Sequence, residues 1–571
     1  MTEELLVSLS DPRARVVDTD DGRWFVSAFD PGALERLVRD AESVAEVQGR
    51  VGDVAENAVL VHVSTDGDHA ERAYGYRSPT ATRELYYLED SEGTAVLADH
   101  FRTALSRLSV EDRIVSPRAA ADHLLFRAPI APGSFVSGIR LLGQGEWLRW
   151  DGETDERETA LSDRIRAAES IRPSRAVDAI DGALAGLLSS PGDDERLVNL
   201  FSGGVDSTLT HTYLDDATAL SVGIDSPEYA YEIEYAEEAA ELLGAHHRQL
   251  LLDEGDVLAH AETGIEALGS PSYAFPTVLV EQGLRRGEAG TYLMAVGADA
   301  LFGMGGTKSA RIASWLEPAL SLPGVGVAAA RAPERIRSPL RALLTVSDQL
   351  GRDPADPESY PQRVAAYTEP SLVGEFLGED LVAQRCRRLV NYVRNRVVDA
   401  GAAGGGFAGP IEYANLASLY GHRIGSRYRQ LAHAHGKPLL TPFDTETATR
   451  CSLSIPVERR YIRGLRGIRD LEPKYLLKEL LERRLPAYDA GKEKGAGILP
   501  FRRYRAEGAL RNAFEKYEAP EFVPDRMRKR ALEGSGRQSW NLLTYAIWRD
   551  RVLADPDLEP VPAAAEATYG F

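Results

Sequence analysis

The sequence predicts an α/β protein, with a β-rich N-terminal part followed by a doubly wound parallel sheet carrying added helices. Three observations lead there. From about residue 176, short apolar runs alternate with amphipathic helical segments, the pattern of strand–helix–strand crossovers. Before about residue 150, short apolar runs are separated by Gly, Asp and Ser, as in sandwiches built from hairpins. The chain has 571 residues, too many for one hydrophobic core.

In the N-terminal part the strand candidates are Ala58–Val63, Glu84–Tyr87, Thr94–Leu97 and Gly138–Leu142. Residues 151–170 are polar and charged and read as a linker running into a helix. Val177–Leu188 has the apolar spacing of a helix. Leu197–Phe201 then reads as a strand, 206–214 as a helix and Ala219–Ile224 as a strand. Tyr231–Leu243 is a helix stopped by Gly244, and Gln249–Leu252 and Tyr292–Val296 are further buried-strand candidates. Residues 310–410 read as helical with Pro and Gly breaks, and helices continue through Ile411–His435 and Glu472–Arg484.

Composition excludes several classes. No segment reads as a membrane span: the longest apolar stretch, Ala319–Ala330, is short and broken by Pro323, Gly324 and Gly326. The first residues carry acid where a secretory signal carries base, so a cytoplasmic protein is expected. Cys386 and Cys451 lack CxxC partners, which argues against a disulfide framework or a cysteine-rich zinc site. A net charge of −21 argues against nucleic acid and anionic membranes as partners. Of 66 basic residues only eight are lysine. An acidic, lysine-poor chain fits a halophilic protein, whose surface repulsion is screened by salt. GC-rich coding bias is the alternative for Arg over Lys, but it leaves the acid excess unexplained.

The strongest local feature is Leu200-Phe201-Ser202-Gly203-Gly204-Val205-Asp206-Ser207-Thr208. An apolar strand enters a Ser-Gly-Gly turn and a helix begins at once. Two glycines let the backbone bend sharply and approach an anion closely. Exposed N–H groups at a helix start attract that anion, and the Ser and Thr hydroxyls add hydrogen bonds. Asp206 supplies a carboxylate oxygen for a Mg²⁺ held between phosphates. A Walker A loop would carry a lysine here, and none is present. The loop suits a pyrophosphate leaving group.

This loop resembles the PP-loop of the ATP pyrophosphatase superfamily, whose members form adenylated intermediates and release pyrophosphate. Further segments resemble its asparagine synthetase branch. Gly297-Ala298-Asp299-Ala300-Leu301-Phe302-Gly303 resembles the family's SGEGADELFGG motif, which places Asp299 beside Asp206 as a second Mg²⁺ ligand. Ala236, Ala240 and Gly244 before His246-His247 resemble a helix ending in A..LG..H. Thr441-Pro442-Phe443-Asp444 resembles the PFLD segment near the acceptor site. Lys474-Tyr475-Leu476-Leu477, Leu485-Pro486 and Lys492-Glu493-Lys494-Gly495 resemble K.LLR…LP…R.K.G, where a lysine sits by the phosphates and the reacting carbonyl. Four of the eight lysines fall in this stretch. Glu84-Leu85-Tyr86-Tyr87 with Ala95–Asp99, and Ser137–Ile139 with Gly145–Trp147, resemble parts of the family's glutaminase-like domain.

The resemblance implies an Ntn-type αββα sandwich over residues 1–160 and a PP-loop synthetase domain over 171–555. It implies ATP and Mg²⁺ as cofactors, with Leu200, Ser202, Gly203, Gly204, Asp206, Ser207, Val222 and Gly297 at the nucleotide and Asp206 and Asp299 at the metal. Lys494 is the preferred catalytic lysine because it directly precedes the glycine, with Lys492 as the alternative.

The sequence also departs from the family. Glutamine hydrolysis there needs a cysteine immediately after the initiator methionine, whereas Thr2 occupies that position and no cysteine precedes Cys386. Both glutamates of GEGADE are replaced, by Val296 and Ala300. β-Lactam synthetases and lasso-peptide cyclases share the fold and vary at these positions. The expected activity is therefore ATP-dependent amide formation through an acyl-adenylate, without glutamine hydrolysis, on a small-molecule or peptide carboxylate and amine. Ammonia-dependent asparagine synthesis and a degenerate scaffold are the alternatives. For the N-terminal domain a homodimer contact or a partner protein is open. Three weaker signals are set aside. Gly324–Ala329 lacks the strand a dinucleotide site needs, and His246-His247 reads as a helix-to-strand turn. Arg423, Arg427 and Arg429 read as a solvated face or a contact for an acidic or phosphorylated substrate.

Overall fold

The computed structural model describes residues 4–303, 324–325, 333, 367–368, 370–397, 416, 419, 423–456, 460, 472–491, 500–532 and 536–570, apart from 67–68, 81, 152–153, 155, 167–169 and 190–195. The N-terminal domain contains strands β1 (Glu4–Leu9), β2 (Arg15–Thr19), β3 (Gly22–Ser27), β4 (Val59–Asp66), β5 (His69–Arg77), β6 (Tyr86–Glu89), β7 (Thr94–Ala98), β8 (Arg140–Leu141), β9 (Glu146–Asp151) and β10 (Arg157–Leu161). Its helices are α1 (Pro31–Asp40), α2 (Val44–Val54), α3 (Phe101–Ser106) and α4 (Pro117–Phe126).

Side-chain alternation along the strands builds four layers. Leu5, Val7 and Leu9 of β1, Ala95 and Leu97 of β7, Phe25 of β3 and Val59, Val61 and Val63 of β4 meet in one core between two sheet faces. The strands form one continuous eleven-stranded sheet, and on the far side of one half of it Trp24, Val26 and Leu60 pack on Leu34, Leu37, Val47 and Val51 of α1 and α2. On the far side of the other, Leu6, Leu88 and Val96 pack on Phe101, Leu105, Leu124 and Leu125 of α3 and α4. The arrangement is helix, sheet, sheet, helix: the Ntn-type sandwich.

Two details differ from the sequence reading. Residues 157–161 form β10, paired antiparallel with β9, rather than part of a linker. Four of its five side chains are exposed, so the strand shows no apolar alternation. The second is the chain's last strand, β16 (Ala565–Gly570), which returns to pair antiparallel with β1 along six register positions, from Glu4↔Gly570 to Leu9↔Ala565. Removing residues 563–571 is expected to destabilise the N-terminal domain by roughly 3 kcal/mol or more, from the lost ladder bonds. Thermal unfolding of the truncated chain checks this.

The second domain contains α5 (Ala176–Leu188), β11 (Leu197–Leu200), α6 (Val205–His211), β12 (Thr218–Ile224), α7 (Ala230–Leu243), β13 (His246–Leu252), α8 (Val257–Leu268), α9 (Thr277–Arg286), β14 (Thr291–Leu293), α10 (Ala298–Phe302), α11 (Pro370–Leu377), α12 (Glu379–Arg396), α13 (Ile424–Ala434), β15 (Leu439–Leu440), α14 (Glu446–Ser454), α15 (Tyr475–Arg484) and α16 (Gly536–Trp548). Its five strands run parallel in the order β13-β12-β11-β14-β15. One face buries Ala219, Leu293 and Leu440 under α5, α7 and α15. The other buries Val198, Leu220 and Tyr292 under α8, α9 and α13. This is the doubly wound PP-loop-type sheet. Gly244 ends α7 at φ +62°, a left-handed cap that glycine adopts without a Cβ penalty. His246 and His247 open strand β13 rather than occupying a turn.

The order of the strands reverses between β11 and β14. In open α/β sheets the crevice at the carboxyl ends of two such strands is where ligands bind. The chain leaving β11 enters Ser202-Gly203-Gly204, and the chain leaving β14 enters Gly297-Ala298-Asp299. Among the described residues no helix is long and apolar enough to cross a membrane.

Candidate active site

The loop after β11 is shaped by a backbone that only glycine tolerates. Gly203 has φ +68°, and a Cβ there would lie 2.6 Å from the Tyr235 carbonyl oxygen and 2.7 Å from Ala236 Cα on α7. Hydrogen bonds then hold the turn. The Ser202 N–H donates to Ser207 Oγ at 3.2 Å, Ser207 Oγ donates to the Gly204 carbonyl at 3.2 Å, and the Gly204 N–H donates to Ser202 Oγ at 3.4 Å. The buried Asn199 amide donates to the Ser207 carbonyl at 3.0 Å and pins the first turn of α6 to its strand. From the other side, the Tyr488 hydroxyl donates to the Gly203 carbonyl at 2.7 Å and lies 3.1 Å from the Tyr235 hydroxyl.

Leu200 and Val222 lie on neighbouring strands and face α9. A Cβ on Gly283 would stand 3.2 Å from Leu200 Cδ2 and 3.0 Å from Val222 Cγ2. The two residues therefore pack side by side against α9. Gly297 has φ +97°, and a Cβ there would lie 2.5 Å from Asp444 Oδ1. The segment Thr441–Asp444 thus seats directly against the second motif. Its Asp444 is fully buried, and burial pushes the carboxyl up to about 7. Val296, at a position the family fills with glutamate, is a half-buried apolar side chain in the adjoining core.

The two motifs meet through a lysine. Lys474 Nζ lies 2.5 Å from Asp206 Oδ2 and 2.5 Å from Asp299 Oδ1. The backbone reason is at the start of α15. Lys474 takes a left-handed conformation, φ +60°, and its N–H donates to the Phe302 carbonyl at 3.2 Å, at the end of α10. A non-glycine residue in that region is held by its surroundings at an energetic cost. Burial opposes the ammonium's charge, but the Asp206 and Asp299 carboxylates outweigh it and raise its pKa. Among the described residues no group of three or more His, Cys, Asp or Glu could hold a metal by itself.

The donor set fits Mg²⁺. Two hard carboxylates converge on one cationic atom, and Mg²⁺ is ordinarily held by one or two carboxylates together with substrate phosphates. Asp206 and Asp299 would hold it, and it would neutralise charge on the phosphates. Lys492 and Lys494 lie outside the described residues. Lys474 is the lysine that the described structure brings to the carboxylates. Its sequence signal was its place at the head of the Lys474–Leu477 segment and the lysine clustering there.

Neither cysteine belongs to this site. Burial pushes the Cys386 thiol up to about 12 and the Cys451 thiol up to about 11, so neither is a thiolate near neutrality.

Residues 192–560, more than half of the chain, match the family model for asparagine synthase. The chain belongs to the asparagine synthase family. A comparison with curated proteins finds no match. The family consists of ATP-dependent ligases that form amides, and this chain is an ATP-using ligase of that general kind. The matched region contains the Ser202–Ser207 loop, the Gly297–Gly303 motif and Lys474, so the geometry described above lies wholly within it.

Proposed function

We propose that this ligase activates a substrate carboxylate as an acyl-adenylate and transfers the acyl group to an amine, releasing AMP and pyrophosphate, without hydrolysing glutamine. One observation carries the reading: a single ammonium, Lys474, joins Asp206 of the first motif to Asp299 of the second at the switch point of the sheet.

In this scheme the carboxylate attacks the α-phosphate of ATP. The pyrophosphate lies against the Ser202–Ser207 loop, whose N–H groups and hydroxyls donate hydrogen bonds to the oxygens on which its charge builds. Leu200 and Val222 flank the nucleotide. Asp206 and Asp299 would hold Mg²⁺, which would neutralise charge on the phosphates. Lys474, freed from the carboxylates, stabilises negative charge on the phosphate and then on the tetrahedral carbonyl. Lys494 or Lys492 shares this task. The amine displaces AMP, and much of the acceleration comes from holding amine and adenylate together.

Glutamine independence rests on the thiol inventory. The only cysteines are Cys386 and Cys451, both on helices of the second domain. Val296 places an apolar group where asparagine synthesis would use a glutamate. This favours an amine that the substrate itself brings. Alkylation with iodoacetamide is expected to leave turnover unchanged, and no glutamate should form from glutamine. Loss of turnover on alkylation would contradict this part. The adenylation step is tested by ATP–pyrophosphate exchange across a panel of carboxylates in high salt. Exchange that requires a carboxylate supports the reading, and phosphate exchange in its place refutes it.

A further inference from the structure

The arginines of α13 are not a solvated face. Arg423, Arg427 and Arg429 are 8%, 4% and 1% exposed. The N-terminal domain and the helices beside it cover them. Arg429 donates to the hydroxyls of Thr82 and Thr441 and to the Leu439 carbonyl. Arg423 and Arg427 line a small cavity at the junction of the two domains, with Glu84, Ser272, Ser426 and Gln430. It has room for roughly one water-sized guest.

Charge does not balance around this cavity. Arg423 Nη1 donates to Glu84 Oε1. The other Glu84 oxygen accepts from the Tyr86 hydroxyl at 2.6 Å and from Gln430 Nε2 at 2.7 Å, so this carboxylate is fully used. Arg427 Nη1 donates to Ser272 Oγ at 2.8 Å, but Nε and Nη2 of Arg427 have no partner. Arg423 Nε and Ser426 Oγ are buried without partners as well. Arg127, fully buried, adds a third guanidinium that repels Arg427; its Nε donates to Asn541 Oδ1 and it stacks on the Tyr367 ring. The next carboxylate, Asp122, accepts from Arg385 on both oxygens and from the Ile130 N–H. Among the described residues that line the cavity, two guanidiniums therefore face one carboxylate.

Buried arginine cannot resolve this by losing its proton, and an unpaired buried charge is costly. Water would satisfy the N–H groups without neutralising anything. We propose that the cavity is a binding site for one small monovalent anion, a halide, held by Arg427 Nε and Nη2, Arg423 Nε and the Ser426 hydroxyl. Glu84 remains as a wall, its charge already spent on Arg423. The anion would then be part of the domain junction, tying α13 to the N-terminal strand β6. This inference is independent of the ligase reading and is read out by binding and stability, not turnover.

Bromide is the probe. Crystals of the full chain soaked in sodium bromide are expected to show an anomalous peak within hydrogen-bonding reach of Arg427 Nη2. In solution, exchanging gluconate for chloride at constant ionic strength is expected to raise the unfolding midpoint by roughly 1–3 °C and then saturate. The rise should vanish in Arg427→Met and persist in Arg483→Met, whose side chain makes an exposed ion pair with Asp178. A cavity without a bromide peak, or a chloride response unchanged in Arg427→Met, overturns the proposal. Should Arg427→Met fail to fold, the bromide peak in the unaltered chain decides.

Discussion

Replacing Lys474 with methionine is expected to lower turnover by roughly 10²–10³-fold, the usual effect of removing one group that stabilises transition-state charge. The same change should leave folding stability nearly intact. Asp299 is 65% exposed, so water can solvate the charge left behind, although Asp206 is more enclosed. The binding of Mg²⁺ without nucleotide should strengthen, because the ammonium no longer neutralises the two carboxylates. A purely structural lysine would give the reverse: an unfolding midpoint lowered by many degrees, with kcat per folded molecule preserved. Steady-state kinetics, thermal unfolding and a Mg²⁺ titration on one variant separate the two.

Gly203→Ala is expected to abolish measurable MgATP binding and to destabilise the chain by about 1–3 kcal/mol. Two causes act together. The residue must sit at φ +68°, and its new Cβ would lie 2.6–2.7 Å from backbone atoms of Tyr235 and Ala236. Neither obstacle is a flexible side chain, so α7 or the loop must move. Moving the loop breaks the bond from the Tyr488 hydroxyl to the Gly203 carbonyl and misdirects the N–H groups that face the pyrophosphate. Gly244→Ala makes a useful comparison. It carries the same left-handed strain at φ +62° but meets nothing within 4 Å, so it should cost stability alone and leave nucleotide binding unchanged.

Much of the nucleotide loop and its sheet was legible because the determinants are local. Strands β11 and β12 and helices α6 and α7 follow from apolar spacing, and glycine marks the turn at 203 and the stop at 244. The Asp206–Asp299 pairing was legible only through resemblance, since 93 residues separate the two and no spacing rule links them. Three features were not legible, each for a tertiary reason. Strand β16, Ala-Glu-Ala-Thr-Tyr-Gly, alternates apolar and polar residues, but the apolar positions are two alanines and one tyrosine, and its partner β1 lies at the opposite end of the chain. Lys474 reaches the carboxylates because its left-handed backbone aims it there, a conformation that no residue preference would assign to lysine. The arginines of α13 look like surface because arginine ordinarily is, and only tertiary packing, against Thr82 and Glu84 on one side and Ser272, Leu439 and Thr441 on the other, makes them interior.

The most direct test of the central claim is product analysis of ATP consumption. The chain is incubated with ATP and Mg²⁺ in high salt, with aspartate and ammonia, aspartate and glutamine, or fractionated cell extract, beside an Asp206→Ala control. AMP and pyrophosphate in equal amounts, dependent on a carboxylate and abolished in Asp206→Ala, is the result this account requires. ADP and phosphate as products, or AMP release that survives in Asp206→Ala, would contradict it.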